Sequence, residues 1–177
     1  MNRLPNFMLP EKAFKIIEER ITQGKNIVEL GSGDGTKRLS ERYNVISIEH
    51  DENWISQLEN SHIFEPIIQN EISTSFGEEG WYDISSKNKL IPNEIDLLLI
   101  DGPPGWIGRR GILGHSWLIQ RSKFILIDDT DRSAESELTT QISKLTNGSI
   151  EEFSAEELNG RGEPRRFSWI KRGALND

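Results

Sequence analysis

Cysteine is absent from the sequence, and so is any long hydrophobic run. The lack of cysteine excludes disulfide bonds, thiolate metal sites and a cysteine nucleophile. No stretch approaches the roughly twenty apolar residues that span a membrane. The N-terminal residues MNRLPNFMLPEKAFKIIEER lack the continuous apolar core of a secretion signal. We therefore expect a cytoplasmic protein without a membrane span.

Positive charge is scarce, because 21 Lys and Arg residues stand against 29 Asp and Glu, a net charge of −8. Phosphate backbones are bound through basic surfaces, so we expect no nucleic acid as the main partner. The 177 residues, 34% of them hydrophobic, suit one domain with a substantial core. We expect residues 1–177 to form that single domain.

Apolar runs alternate with helix-like segments along the chain. The pattern predicts strands at 26–30, 45–49, 67–72, 95–100, 124–127, 149–153 and 166–170. It predicts helices at 12–21, 36–43, 52–60 and 131–145, partial helix in 107–120 and a long loop at 73–93. This order indicates an α/β fold: a doubly wound, Rossmann-like, mostly parallel sheet with helices on both faces. Ligands bind such sheets at the carboxyl ends of the strands.

The stretch NIVELGSGDG places three glycines, spaced by single residues, directly after the first predicted strand. This G-x-G-x-G differs from the dinucleotide fingerprint G-x-G-x-x-G, and no Gly-Lys-Ser/Thr follows it as in a P-loop. Glu29 precedes the glycines and Asp34 lies among them, which disfavours a bound pyrophosphate. Glu49 ends the next strand, where a carboxylate can accept both hydroxyls of a ribose. A ligand with a ribose and a positive charge, such as S-adenosylmethionine, satisfies both features.

These features together resemble the class I S-adenosylmethionine-dependent methyltransferases, in which E-x-G-x-G-x-G follows a strand and an acid ends the next one. The resemblance extends over nearly the whole chain through the strand order. It implies that the loop backbone holds the methionine part, Glu49 the ribose and His50 the adenine, with Asn70 or Glu71 at the adenine edge. The cofactor-binding residues implied in this way are Glu29, Gly31, Ser32, Gly33, Gly35, Glu49, His50, Asn70, Glu71 and Asp101. A plain strand–turn–helix, with glycines serving turn geometry, is the alternative interpretation.

Acidic residues follow the fourth and fifth predicted strands in the segments IDGPPG and IDDTDR. Asp101, Asp128, Asp129 and Asp131 should converge because the ends of neighbouring parallel strands meet, and clustered carboxylates repel unless protonated or bridged by a cation. One acid after strand four and two after strand five resemble the metal site of cation-dependent O-methyltransferases. That resemblance implies Mg²⁺ bound by Asp101, Asp128 and Asp129. Alternatively, Asp129 or Asp131 caps the following helix.

The segment 96–137 carries a second resemblance, to glucuronoxylan-type sugar O-methyltransferases. The residues concerned are DGPPG, the glycine-arginine segment at Gly108 and Arg109, and DDTDR with Glu135 after it. This chain has Asp128 where that pattern carries histidine. The resemblance implies a hydroxyl of a sugar or polysaccharide as the methyl acceptor, for which Trp81, Trp106 and Trp117 would offer stacking surfaces.

The predicted function is thus O-methylation of a saccharide or small-molecule hydroxyl. Asp101 is the main candidate for the chemistry, as base or metal ligand, with Asp128 and Asp129 supporting it. His115 is a candidate general base, although a histidine beside Trp117 also suits plain packing. Two alternatives stay open: a non-catalytic methyltransferase-like binding module, and an N-methyltransferase of a small amine or protein. A homodimer could complete the acceptor site.

Overall fold

A computed structural model describes residues 8–55, 62–64, 67–68 and 80–174. Its strands, numbered along the chain, are β1 (Asn26–Leu30), β2 (Asn44–Glu49), β3 (His62–Phe64), β4 (Ile67–Ile68), β5 (Trp81–Tyr82), β6 (Ile95–Ile100), β7 (Ser122–Ile127), β8 (Ser149–Leu158) and β9 (Pro164–Lys171). Seven of them form one sheet in the order β3-β2-β1-β6-β7-β9-β8. The pairs from β3 to β7 are parallel, and β9 runs antiparallel to both β7 and β8. The predicted mostly parallel α/β fold is confirmed.

The helices are α1 (Glu11–Arg20), α2 (Asp34–Ser40), α3 (Glu52–Ile55), α4 (Ser116–Arg121) and α5 (Ser133–Thr146), with a 3-10 helix at Arg110–His115. They cover both faces of the sheet. Adjacent residues of a strand point to opposite faces, so neighbouring residues of β1 pack against different helices. Ile27 packs with Phe14 and Ile17 of α1, whereas Val28 packs with Leu138 and Ile142 of α5. The central strands are therefore buried on both faces, as their apolar runs predict.

The third strand of the main sheet differs from the prediction. It is β3, His62–Phe64, which pairs parallel with β2. Part of the predicted strand at 67–72 instead forms β4, which pairs antiparallel with β5 in a separate two-stranded sheet. Three residues carry too little periodicity for a sequence pattern to register. The assignment of 67–72 as the third strand of the main sheet is therefore wrong. Asn70 and Glu71, predicted at the adenine edge, lie outside the described part of the chain, so their role stays a prediction.

Helix α5 begins after a turn that carries Asp129 and Asp131, yet neither side chain caps it. The residue before the helix is Arg132, which makes no capping hydrogen bond through its side chain. Asp129 has a positive φ of 58°, and its carboxylate contacts arginines instead. The capping interpretation of these two acids is therefore wrong. No helix among the described residues is long and apolar enough to cross a membrane.

Candidate ligand site at the carboxyl ends of the strands

A cavity of about 760 Å³ opens where β1, β2, β6 and β7 end. Its wall combines the two sets of residues that the sequence singled out. The glycine-loop side contributes Gly31, Ser32, Glu49, His50, Asp51 and Trp54. The acidic side contributes Asp101, Gly102, Arg109 and Asp129, and the turn between β8 and β9 adds Leu158, Asn159 and Gly160. The placement agrees with the rule that ligands of such sheets bind at the carboxyl edge.

The first glycine of the loop is required by its surroundings. Gly31 has a φ of +88°, and a Cβ there would come within 2.9 Å of the Gly102 backbone. Gly102 is equally confined, since its own Cβ would lie 2.7 Å from the Gly31 Cα. The loops after β1 and β6 thus touch backbone to backbone, which only glycine permits at this distance.

Gly31→Ala is expected to lower the free energy of unfolding by more than the backbone strain at positive φ alone would. The change adds a clash with Gly102 to the strain of about 1–2 kcal/mol that a side chain meets at positive φ. Gly24→Ala is the matched control, because Gly24 has a φ of +80° but open space around its would-be Cβ. Urea unfolding should show the larger stability loss for Gly31→Ala, and equal losses would contradict the assigned contact.

The other two glycines of the motif do different work. Gly35 lies inside α2, where an added Cβ would meet the Phe14 ring at 3.0 Å. Gly33 has an extended backbone and donates its N–H to Thr36 Oγ1 at 3.0 Å. Neither is among the residues that line the cavity. They shape the strand-to-helix turn and its packing, so that only the first glycine faces the ligand space.

Glu29 lies beneath the loop, 3% exposed, and does not line the cavity. Its Oε2 accepts hydrogen bonds from Thr36 Oγ1 at 2.7 Å and Ser47 Oγ at 2.9 Å. Burial raises the pKa of this carboxyl to about 7, although both hydroxyls act against the rise. Glu29 of β1 therefore links β2 and α2 through hydrogen bonds. It would affect a ligand indirectly, by holding the glycine loop in place.

The raised pKa of Glu29 makes stability depend on pH with a definite sign. Between about pH 4.5 and 7 the folded state keeps a proton that the unfolded state has released, so stability falls as pH rises through that window. A shift of this size corresponds to roughly 3 kcal/mol. Glu29→Gln should flatten the pH dependence of the free energy of unfolding, whereas Glu52→Gln at an exposed position should not. An unchanged slope in Glu29→Gln would contradict the assignment.

Glu49 organises the other half of the ligand space. It is 3% exposed, yet it belongs to the cavity wall. Its Oε2 accepts the Ser32 N–H at 2.6 Å, and its Oε1 accepts those of His50 at 2.7 Å and Asp51 at 2.9 Å. A carboxylate offers about four lone-pair sites, so three backbone donors leave room for a ligand hydroxyl at Oε2. His50 Nδ1 lies 2.8 Å from Glu49 Oε1.

Three acids meet on the opposite side of the cavity. One carboxylate oxygen each of Asp101, Asp128 and Asp129 lies within 4.8 Å of the others, as the strand order predicted. Asp101 and Asp129 line the cavity, but Asp128 is fully buried behind them. Burial raises the pKa of Asp101 to about 7, with the Asp129 charge adding to the rise and the Arg109 charge opposing it. The pKa of Asp128 is raised by burial and by both neighbouring acids.

Arg109 lies among these acids and is 4% exposed. Its Nη2 donates to the Asp101 carbonyl at 2.6 Å, to Asp129 Oδ2 at 3.0 Å and to Asp101 Oδ1 at 3.4 Å. Its Nη1 donates to the Asp128 carbonyl at 2.9 Å, and Nε donates to the Pro103 carbonyl at 3.3 Å. The guanidinium thus ties the loop after β6 to the loop after β7 and neutralises part of the acid cluster.

Arg165, partly buried, supplies a second cation from β9. Its Nη2 lies 2.5 Å from Asp128 Oδ2 and 3.8 Å from Asp129 Oδ1, and its Nη1 donates to the Met8 carbonyl at 2.7 Å. Arg165 could not be identified from the sequence, because RGEPRR is indistinguishable from an exposed basic hairpin without knowledge of which strand pairs with β7. Asp131, expected in the cluster, instead accepts from Asn159 Nδ2 at 2.8 Å and Arg161 Nη2 at 3.2 Å.

The acid cluster has the carboxylate oxygens that Mg²⁺ prefers, but these oxygens are already paired with two arginines. Three carboxylate oxygens at this spacing are suitable ligands. Arg109, however, lies 3.0 Å from Asp129 and 3.4 Å from Asp101, and Arg165 lies 2.5 Å from Asp128. A dication between these acids would be within a few ångströms of two guanidinium groups and would be repelled by them. The side chains as described therefore do not fit a magnesium ion.

His115 does not fit the role of general base. It ends the 3-10 helix, its Nδ1 lies 3.2 Å from the Gly111 carbonyl oxygen, and its ring packs 6.1 Å from that of Trp81. It is not among the residues that line the cavity. Of the three tryptophans considered for stacking, Trp81 is buried and Trp117 borders a separate cavity. Only Trp106, 67% exposed, stands at the rim of this one.

No protein-family model and no curated protein matches this sequence. Solved structures do share its fold. The O-methyltransferase TomG from Streptomyces achromogenes, involved in tomaymycin synthesis and solved in complex with S-adenosylmethionine, is 12% identical, with a TM-score of 0.57 over 97% of this chain and 84% of that one. An rRNA methylase from Streptococcus thermophilus is 13% identical, with a TM-score of 0.57 over 92% of this chain and 95% of that one.

The N-methyltransferase NodS from Bradyrhizobium japonicum is 10% identical, also with a TM-score of 0.57, over 93% of this chain and 96% of that one. The neighbours thus include enzymes that methylate different atoms on different substrates. At these identities the likeness shows the fold: this chain has the fold of the class I S-adenosylmethionine-dependent methyltransferases, as its glycine loop and strand order predicted.

Proposed function

We propose that this chain is an S-adenosylmethionine-dependent methyltransferase. The observation that carries the proposal is Glu49: a carboxylate at the end of β2 that lies in the cavity wall, grips the glycine loop through Ser32 N–H and keeps an oxygen lone pair for a ribose hydroxyl. The fold is shared with methyltransferases, one of them solved with this cofactor. We propose that Glu49 binds the ribose, His50 lies along the adenine, and the backbone at Gly31 and Ser32 holds the methionine part.

The charges around this half of the cavity suit a cationic ligand. Glu29, Glu49 and Asp101 lie in or just behind its wall, and α2 is too short to place a strong anion site at its N-terminus. A pyrophosphate would meet these carboxylates at unfavourable distances. A sulfonium, by contrast, is stabilised by them, and it makes the attached methyl group susceptible to displacement.

The proposed reaction is O-methylation, with Asp101 as the base. The acceptor hydroxyl would lie beside Asp101, at the point where the loops after β1 and β6 meet. As its oxygen forms a bond to the methyl carbon, the carbon–sulfur bond breaks, the electron pair stays on sulfur, and the hydroxyl proton passes to Asp101. A carboxyl with a raised pKa suits this task, since it can hold the proton near neutral pH. Arg109 positions Asp101 through its carbonyl and carboxylate.

The acceptor we propose is a hydroxyl of a saccharide or another small molecule. Trp106 and Leu158, 67% and 61% exposed, form an apolar rim beside the polar wall. Arg132, 43% exposed in its side chain, lies on the same rim. An aromatic face next to hydrogen-bonding groups suits a sugar ring, and a cavity of this size accommodates a small acceptor together with the cofactor.

A magnesium-assisted reaction, the second candidate that the sequence suggested, rests on three carboxylate oxygens within 4.8 Å of one another, an arrangement that does not fit the ion while Arg109 and Arg165 pair with these acids. The proposed mechanism needs no metal because Asp101 can take the proton. N-methylation, or ligand binding without turnover, are the further alternatives, and the fold is compatible with both. Trp106 suits stacking against a sugar ring but would also attract a cationic amine.

Formation of S-adenosylhomocysteine from S-adenosylmethionine, followed by mass spectrometry over a panel of hydroxylated sugars and phenols, tests this proposal. Asp101→Asn should lower the rate by about 100-fold, because removing a general base costs about that much, while the affinity for S-adenosylhomocysteine, which lacks the sulfonium charge, stays nearly unchanged. A chelator should leave the wild-type rate unaffected. Loss of turnover on chelation, restored by Mg²⁺, would establish the second candidate. Cofactor binding without turnover on any acceptor would favour the binding module.

A further inference from the structure

Tyr82 is a buried aromatic residue in the wall of the cavity, and the sequence analysis did not single it out. It ends β5 and is 1% exposed. Its hydroxyl faces the loop after β6 so closely that a Cβ on Gly102 would lie 2.6 Å from it. Its ring meets that of His50 edge-on, with 6.1 Å between the ring centroids. The hydroxyl therefore lies near both halves of the site: Glu49 and His50 on one side, Asp101 and Gly102 on the other.

The Tyr82 hydroxyl has no hydrogen-bond partner among the residues that the structure describes. A buried donor without a partner costs free energy, which phenylalanine at this position would avoid. The other tyrosine of the chain, Tyr43, is also buried, but its hydroxyl donates to the Ile21 carbonyl at 3.2 Å. An unpaired hydroxyl in a cavity wall is therefore a feature that a bound ligand would complete.

The surroundings of this hydroxyl indicate the kind of atom that completes it. Burial, together with the charges of Glu49, Asp101 and Glu29, raises the pKa of Tyr82 well above its ordinary value. The phenol therefore stays protonated and acts as a donor, which rules it out as the base. The Arg109 charge opposes the three acids at this position, but three carboxylates against one guanidinium disfavour a ligand carboxylate, whereas a neutral oxygen meets no such repulsion.

We propose that Tyr82 binds the adenosyl ligand by donating a hydrogen bond to a neutral oxygen of its sugar. The inference rests on the proposed function, since it takes Glu49 as the ribose-binding carboxylate. The Tyr82 ring meets that of His50, which directly follows Glu49 in the chain, so the hydroxyl lies beside the part of the ligand that Glu49 would bind. Tyr82 is then a specificity-determining residue. It selects for a hydrogen-bond-accepting oxygen on the sugar, whereas Glu49 selects for the hydrogen-bond-donating hydroxyls of that sugar.

The test is calorimetric titration of Tyr82→Phe with S-adenosylhomocysteine and, separately, with adenosine. We expect both dissociation constants to rise about 10-fold relative to wild type, while the melting temperature of the free protein stays equal or increases. Tyr43→Phe is the matched control: it removes a buried hydroxyl far from the cavity and should leave both constants unchanged.

The possible results separate the inference from the function on which it rests. If wild type binds both ligands and Tyr82→Phe binds them equally well, the hydroxyl has no ligand partner and the inference is overturned, although the proposed function stands. If only S-adenosylhomocysteine binds more weakly, the partner is on the amino-acid part and the sugar assignment is overturned. If wild type itself fails to bind, the proposed function fails first and the inference with it.

Discussion

Glu49→Ala is expected to abolish binding of S-adenosylhomocysteine, with a dissociation constant at least about 1000-fold above that of wild type. Three backbone N–H groups, those of Ser32, His50 and Asp51, lose their acceptor together. Hydrogen bonds to a charged group contribute about 1.5–3 kcal/mol each, and the ribose contact is lost in addition. Calorimetric titration at a fixed pH measures the change directly, since each tenfold in affinity is about 1.4 kcal/mol.

Two comparisons separate ligand contact from loop support in this experiment. Glu49→Gln keeps an oxygen for the backbone donors but loses the charge, so we expect an intermediate loss of affinity. Glu52→Ala, three residues further along and exposed, should bind as wild type does. Affinity in Glu49→Ala within a few-fold of wild type would mean that the ligand does not use the end of β2.

Arg109→Met lowers the free energy of unfolding by about 3–5 kcal/mol, the usual cost of leaving buried acids without their partner. Methionine fills much of the same space, so the loss reflects charge and hydrogen bonds more than a void. The carbonyls of Pro103, Asp101 and Asp128 lose a donor, and the charge that opposes the raised pKa of the acids disappears. Urea unfolding at pH 7 measures the change.

A pH series identifies the acids as the cause of that loss. Burial holds the pKa of Asp101 and Asp128 above their ordinary values, so the folded state takes up protons before the unfolded state does as pH falls. Arg109→Met should therefore regain part of its lost stability between pH 7 and 5. Arg20→Met, which breaks an exposed pair with Glu151, should cost at most about 1 kcal/mol. An Arg109→Met loss of that small size would mean that the acids do not depend on the guanidinium.

Much of the fold was predictable because the central strands are buried on both faces. The run at β6 is apolar at five of six positions, and the strand predicted at 26–30 coincides with β1, Asn26–Leu30. By contrast, β3 has only three residues, too few to show an alternating hydrophobic pattern in the sequence. Its position is evident only from its pairing with β2. The adenine-edge prediction, Asn70 or Glu71, depended on the strand predicted at 67–72, and both residues lie outside the described part of the chain.

The site was predictable where residue type and position coincide, and not where charges pair across the fold. The position of Glu49 in the cavity wall was predictable because a carboxylate ends the second strand. The convergence of Asp101, Asp128 and Asp129 was predictable in the same way, from the order of the strands they follow. The sequence Gly108-Arg109-Arg110 does not show which arginine lies in the acid cluster, since both carry the same charge. Likewise, Tyr82 lies in a turn-rich stretch without periodicity. Which distant side chain fills a buried position depends on three-dimensional packing that no local pattern records.

The central claim is that the cavity at the ends of β1 and β2 binds S-adenosylmethionine and its product. Titration of the wild-type protein with S-adenosylhomocysteine in a calorimeter, in buffer containing a chelator, tests this most directly. We expect one saturable site per chain with a micromolar dissociation constant, unchanged when Mg²⁺ replaces the chelator. No saturable binding up to millimolar ligand, with or without Mg²⁺, would contradict the claim and leave the methyltransferase fold serving another ligand.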